Sequence, residues 1–203
     1  MRIISGWAKG RKLVAPPGQT QNIRPTSDRA RESLFNILRG KVDTFDGLRV
    51  LDLFAGTGAL GLEALSRGAT EVILVEQNKQ ALDIIHRNIA ACRPEQHDCK
   101  VAAIRYDLRK GIPPQVTEFG KSQPFNLIFL DPPYSKGLSL KVLEYLGNGE
   151  ILSGSCLVVA EERSSESLPE CCGVLNLTDQ RIYGETGFWL YSPRHLTETE
   201  VRS

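Results

Sequence analysis

Phe125-Asn126-Leu127-Ile128-Phe129-Leu130-Asp131-Pro132-Pro133-Tyr134 most limits how this chain can fold. Its apolar run, broken once at Asn126, has the pattern of a buried strand. Asp131 and two prolines end that strand. Proline fixes φ and lacks an N–H, so the backbone must leave the sheet. The residue before each proline is held extended. The product is a stiff corner at a strand's carboxyl end, presenting a carboxylate, carbonyls released from the ladder and an aromatic ring. In an open α/β sheet, ligands bind at that edge.

The rest of the chain supplies such a sheet. Residues 49–54 predict a strand that runs into Ala55-Gly56-Thr57-Gly58-Ala59-Leu60-Gly61, a glycine turn opening a helix to about Arg67. Glycine lets backbone approach a nucleoside closely. Residues 71–76 predict a second strand whose terminal acid, Glu76, can accept both ribose hydroxyls. A helix over 78–91, a loop over 94–100 and a third strand over 101–106 follow. Asp107 then stands where an acid can accept the exocyclic amine of adenine, or cap the next helix. Residues 113–124, with three prolines and one glycine, predict a surface loop. Ser135-Lys136-Gly137 predicts a flexible segment closing over a target. A helix over 138–146, a strand over 155–162 and a strand pair over 174–183 and 187–192 complete the chain. This alternation predicts the α/β class: a mostly parallel sheet with helices on both faces, closed by an antiparallel strand.

The length of 203 residues suits one such domain with a small appendage. Net charge is +1, but its distribution is uneven. Residues 1–41 hold nine Lys/Arg and two acids, leaving 16 basic and 22 acidic residues to the remainder. A basic arm on an acidic body suits a polyanion. Residues 2–14 predict two short strands around a turn, with Trp7 placed to stack on an unpaired base. Arg24-Pro25-Thr26-Ser27-Asp28 precedes a helix whose apolar face is Ala30, Leu34, Phe35, Ile37 and Leu38, ended by Gly40. Arg2, Lys9, Arg11, Lys12, Arg24, Arg29 and Arg31 are the candidate RNA phosphate contacts. The expected division is a basic extension and linker over 1–22, the main domain over 23–193 and a polar tail over 194–203. With neither a membrane span nor a signal peptide in the sequence, the expected location is the cytoplasm. The five cysteines match no zinc spacing, and no metal site is expected.

Three functions compete. Gly56-x-Gly58-x-x-Gly61, with Glu76 twenty residues after Gly56, fits a nicotinamide dehydrogenase. That reading leaves the Asp-Pro-Pro-Tyr corner unexplained and offers no hydride-relay histidine, since His86 is helical, His97 lies in a loop and His195 in the tail. A non-catalytic RNA-binding module leaves the acids at the strand ends unexplained. An AdoMet-dependent methyltransferase accounts for Asp52-x-Phe54-x-Gly56-x-Gly58, Glu76, Asp107 and Asp131-Pro132-Pro133-Tyr134 together, in that order.

The corner resembles the catalytic motif of amino-methyltransferases acting on nucleic-acid bases. The chain as a whole resembles the bacterial 16S rRNA (guanine(966)-N(2))-methyltransferase family, RsmD type. The resemblance rests on Arg2-Ile3-Ile4-Ser5-Gly6, Lys9-Gly10-Arg11-Lys12-Leu13, Arg24-Pro25-Thr26-x-Asp28-Arg29-x-Arg31-Glu32-Ser33-Leu34-Phe35-Asn36, Asp52-Leu53-Phe54-Ala55-Gly56-Thr57-Gly58 and the corner. It implies a Rossmann-like class I methyltransferase sheet with a small N-terminal β-hairpin extension. S-adenosyl-L-methionine is the implied cofactor, with Asp52, Phe54, Gly56, Gly58, Glu76 and Asp107 as its binding residues. The implied substrate is a guanine N2 amine of 16S rRNA in assembled or partly assembled 30S subunits, with a monomer as the acting form. The Asp131 carboxylate and Pro132 carbonyl accept the amine's two N–H groups, Pro133 stiffens the corner, and Tyr134 stacks on the base. Adenine N6, or another RNA, is the alternative target.

Overall fold

The computed structural model describes residues 1–15, 28–134 and 137–194, the side chains of residues 28 and 29 aside. Arg24, the Arg29 side chain, Ser135, Lys136, His195 and the tail beyond Arg194 lie outside the described residues.

β1 (Arg49–Leu53), β2 (Glu71–Glu76), β3 (Lys100–Arg105), β4 (Phe125–Leu130) and β5 (Leu152–Arg163) run parallel. β6 (Cys171–Cys172), β7 (Leu175–Tyr183) and β8 (Thr186–Pro193) complete one sheet in the order β3-β2-β1-β4-β5-β8-β7-β6. β8 is antiparallel to both β5 and β7. The chain builds outward from β1 to β3, then returns to place β4 beside β1. That reversal is the topological switch point, where ligands bind in such sheets. The register sets Leu53 beside Leu130, so the glycine turn after β1 and the proline corner after β4 leave the sheet side by side.

Both faces are covered. α1 (Asp28–Arg39), α2 (Ala59–Ser66) and α3 (Lys79–Cys92) pack on one face, contributing Phe35, Leu65 and Ile85 to a core with Val50, Leu127 and Phe129. α4 (Pro114–Ser122) and α5 (Leu138–Gly147) pack on the other, contributing Val116, Val142 and Leu146 to a core with Leu51, Ile128 and Leu130. Successive strand residues feed opposite cores, as a sheet buried on both sides requires.

α4 replaces the surface loop expected over 113–124. Prolines suggest a break, but Pro114 occupies the first turn, where a missing N–H costs nothing. Val116 is fully buried beneath that helix and Phe119 packs on the same core. β6 was also not foreseen: two residues carry no periodicity.

The N-terminal arm lies against the domain, with a single bridge between Arg2 and Lys12 joining its two ends. Ile3, Ala8 and Leu13 are buried in the α1–α3 core. Glu63 of α2 accepts the amides of Ile4 (2.7 Å) and Ser5 (3.0 Å). Ser66 Oγ accepts from the Ala8 amide at 2.9 Å. Asn88 of α3 accepts from the Val14 amide and donates to the Val14 carbonyl. Trp7 donates its indole N–H to the Leu65 carbonyl and stacks on His97 with ring centroids 3.9 Å apart. Its expected role as a platform for an unpaired base therefore gives way to fastening the arm.

Candidate active site

The turn after β1 is shaped by backbone strain. Phe54 has φ 62°, a left-handed conformation that a bulky side chain seldom adopts. Gly56 and Gly58 also have positive φ. A Cβ on Gly58 would point back at Leu62, Leu74 and Ile85, about 3.5 Å away, so this glycine serves the turn's conformation and not the ligand's approach. A Cβ on Gly56 would meet only the Phe54 carbonyl, at 3.9 Å. Gly56 is thus the position where backbone faces open space.

Asp52 is buried under this turn, and its Oδ2 accepts the Gly61 amide of α2 at 2.9 Å. It holds the turn in shape from below. Burial pushes its carboxyl up to about 7, a rise opposed by the Gly61 hydrogen bond and reinforced by Glu76. An acid whose folded pKa exceeds its unfolded value destabilises the fold as it ionises. Stability should therefore fall as pH rises from about 4 to about 7. Asp52→Asn keeps an oxygen for Gly61 and removes the titration. Urea unfolding from pH 4 to 8 should show a flatter profile in this variant, with the gain at pH 8 of order a few kcal/mol. Parallel profiles in the two proteins would show that Asp52 does not titrate in this range.

Glu76 ends β2 beside the turn. Its Oε2 accepts the Gly56 amide at 3.0 Å and its Oε1 the Asn78 amide at 2.7 Å. Each carboxylate oxygen keeps a further lone pair, so the group can also receive ribose hydroxyls. Asn78 caps α3 through the Gln80 and Ala81 amides. Asp107 follows β3, and of the two roles open to it the structure shows the cap. It caps a short 3-10 turn (Leu108–Lys110) by accepting the Arg109 amide, and the Arg109 guanidinium clamps both of its oxygens at 2.8–3.1 Å. That pairing holds its carboxyl down at about 2. With Gln77, Tyr106 and Lys110 it lines an open recess of about 480 Å³. The recess borders a carboxylate, the kind of acceptor that an adenine amine requires. The half-buried Gly56 backbone, the Glu76 carboxylate and this recess follow one another along the strand ends. Together they fit S-adenosyl-L-methionine, an adenosine whose ribose needs acceptors and whose ring needs a slot.

The corner after β4 adjoins this line. The Asp131 amide donates to the Leu53 carbonyl at 3.4 Å, which ties the corner to the strained turn. Asp131 and Tyr134 are half-buried, Pro132 is buried and Pro133 is exposed. Tyr134 donates its hydroxyl to Glu161 Oε1 of β5 at 2.9 Å, and the Thr186 side chain bonds the same phenol. Burial and the nearby Glu161 charge push the phenol above its ordinary pKa, so it stays a donor. The Arg163 guanidinium stands over the Tyr134 ring, 5.8 Å from its centroid. The sequence pattern assigns Tyr134 only the stacking of its ring. The structure adds a fastened hydroxyl, and with it Glu161, Arg163 and Thr186, which sequence reasoning missed. Only the acids ending β5, Glu161 and Glu162, could have signalled them. Glu162 faces the other way, accepting from Ser139 Oγ at 2.8 Å.

The expected RNA contacts divide. Arg2, Lys9 and Lys12 are exposed, and Arg11 is half-buried with Nη1 on the Ala91 carbonyl. Arg31 is a correction. It is 0% exposed, donates to the Arg2 carbonyl and stands 4.0 Å from Glu63. It shares the buried face of α1 with Leu34, Phe35 and Leu38, so it holds the arm from inside and meets no phosphate. Among the described residues no cluster of metal-ligating side chains forms, and no helix is long and apolar enough to cross a membrane.

The family model described as conserved hypothetical protein 95 matches residues 1–192. The chain is 36% identical to "Putative rRNA methyltransferase YlbH" of Bacillus subtilis, covering 96% of this chain and 100% of that one. It is 32% identical to "Ribosomal RNA small subunit methyltransferase D" of Escherichia coli K12, covering 99% and 94%. The solved structure of "Putative methyltransferase yhhF" from Escherichia coli superposes with a TM-score of 0.75 at 29% identity, covering 96% and 98%. The sheet with its strand-end acids, and similarity over nearly the full chain, agree: the chain belongs to the conserved hypothetical protein 95 family, the RsmD-type methyltransferases.

Proposed function

We propose that this protein transfers the methyl group of S-adenosyl-L-methionine to the exocyclic N2 amine of a guanine in small-subunit ribosomal RNA. The observation that carries the reading is the junction of the Asp131–Tyr134 corner with the strained turn at Phe54, joined by the Asp131–Leu53 hydrogen bond. It sets an acceptor pair and an aromatic ring beside a nucleoside-sized line of backbone and carboxylates. The RNA substrate is supported by the ribosomal RNA methyltransferase relatives from Bacillus subtilis and Escherichia coli and by the exposed cations of the arm.

When bound, the cofactor supplies an electrophilic methyl on a sulfonium. The chain's own residues do the rest. A guanine extruded from its stack lies on the Tyr134 ring, which Glu161 and Thr186 hold by its hydroxyl. Asp131 and the Pro132 carbonyl accept the two N–H groups of N2 and turn its lone pair toward the methyl. Most of the rate gain comes from this positioning. The buried Pro132 and Leu130 keep water from one side of the site.

The test is incubation of the purified protein and labelled cofactor with 30S subunits from cells lacking the corresponding enzyme, followed by nuclease digestion and mass spectrometry. N2-methylguanosine is the expected product. Label on adenine N6, or label absent from RNA, would overturn the reading.

A further inference from the structure

From Tyr134, one row of side chains continues across the antiparallel end of the sheet. Cross-strand partners share a face. Arg163 pairs with Thr186 and Thr186 with Tyr183; Glu161 pairs with Phe188 and Phe188 with Arg181. Phe188 belongs to the core on the α1 side, so all of these residues lie on that face. Tyr134 joins the row through its bonds to Glu161 and Thr186. The row ends in a recess of about 460 Å³ between α1 and β7. There Lys41 Nζ (3.0 Å) and Arg181 Nη2 (3.1 Å) share the Asp179 carboxylate, with Ser33 and Asn36 on the opposite wall.

Two cations on one carboxylate leave a positive charge, and Asp179 keeps both oriented. The Arg181 side chain is still 54% exposed. Tyr183 is 43% exposed, although its ring is braced against buried Phe188 with centroids 6.1 Å apart. A fixed, exposed aromatic ring beside outward cations suits single-stranded nucleic acid: bases stack on the ring and phosphates meet the cations. The recess lacks the desolvated apolar centre that a protein partner requires. Strands about 4.8 Å apart place Tyr183 roughly 10 Å from Arg163. A strand leaving the target base crosses that span within a few nucleotides, at about 3.4 Å or more each.

We propose that the row from Arg163 to Tyr183, with the Lys41–Asp179–Arg181 recess, is the track for single-stranded RNA flanking the target base. The inference rests on RNA being the substrate, as proposed above.

The probe is a fluorescently labelled single-stranded RNA oligonucleotide, titrated with full-length protein at several salt concentrations. Tyr183→Ala should bind roughly five- to a hundred-fold more weakly, the loss of one stacked base. Tyr183→Phe should bind like the wild type, because stacking uses the ring. Arg181→Ala and Lys41→Ala should each flatten the plot of log affinity against log salt by about 0.7. AdoMet affinity by calorimetry should stay unchanged in all four variants, which shows that they fold. Wild-type RNA affinity and salt slope in Tyr183→Ala and Arg181→Ala would overturn the track. Loss of oligonucleotide affinity in these variants, beside a wild-type protein that binds the oligonucleotide yet methylates no rRNA, would support the track while the proposed reaction fails.

Discussion

Asp131→Ala should lower single-turnover methyl transfer to unmodified 30S subunits by about a thousand-fold or more, with the fold and most RNA affinity kept. In the proposed reaction the carboxylate accepts an N–H of the target amine and aims its lone pair. A charge-assisted hydrogen bond of this kind is worth roughly 1.5–3 kcal/mol, or about ten- to a hundred-fold in rate. A nitrogen left misplaced by an ångström adds a factor of about a hundred. The fold should survive because Asp131 lies beyond the last ladder residue of β4, and its amide bond to Leu53 uses backbone alone. Asp131→Asn separates the parts: it keeps one acceptor and loses the charge, and should fall between. Tyr134→Ala should weaken retention of the flipped base. Tyr134→Phe should also slow transfer, several-fold, because the hydroxyl bonded to Glu161 fixes the ring. Near-normal turnover in Asp131→Ala would remove this corner from the chemistry.

Glu63→Ala should cost about 3–5 kcal/mol of stability, a large part of the roughly 5–15 kcal/mol of a typical domain. Glu63 is fully buried on α2. One oxygen accepts from the Ile4 amide; the other accepts from the Ser5 amide and from Arg67 Nε at 2.8 Å. Buried Arg31 faces the same carboxylate at 4.0 Å. Removing the carboxylate leaves two arm amides without their acceptor and takes one counter-charge away from Arg31 and Arg67. The arm should then detach ahead of the sheet. Hydrogen exchange should rise over residues 1–15 well before β1 and β4, and RNA affinity should fall because Arg2, Lys9 and Lys12 lose their fixed positions. Glu63→Gln, which keeps one acceptor, should be milder. Equal urea midpoints for the wild type and Glu63→Ala, with unchanged exchange in the arm, would show that the arm docks by its apolar residues alone.

Much of this protein was legible from residue patterns. Apolar runs of strand length, each ending in an acid or a glycine turn, predicted the parallel sheet and its functional edge. β1 to β5 and the closing hairpin stand where those runs stand. Phe54, Gly56, Glu76 and Asp131 fell at strand ends for the same reason: period and termination are local properties of the chain.

Other features depended on contacts between segments far apart in the chain. The prolines before α4 read as a break until Val116 found the second core. Trp7 read as a free platform until His97 came to lie beneath it. Arg31 carried charge and so read as surface, but its helical position placed it over Glu63. The hydroxyl of Tyr134 had no visible task until β5 and β8 brought Glu161 and Thr186 to it. The sequence by itself determined the sheet, its edge and the proline corner that ends β4, because apolar period, glycine and proline act through the backbone nearby. Only the tertiary structure decided which polar side chains are buried and what they hold, because a charge or hydroxyl is buried only where a distant partner satisfies it.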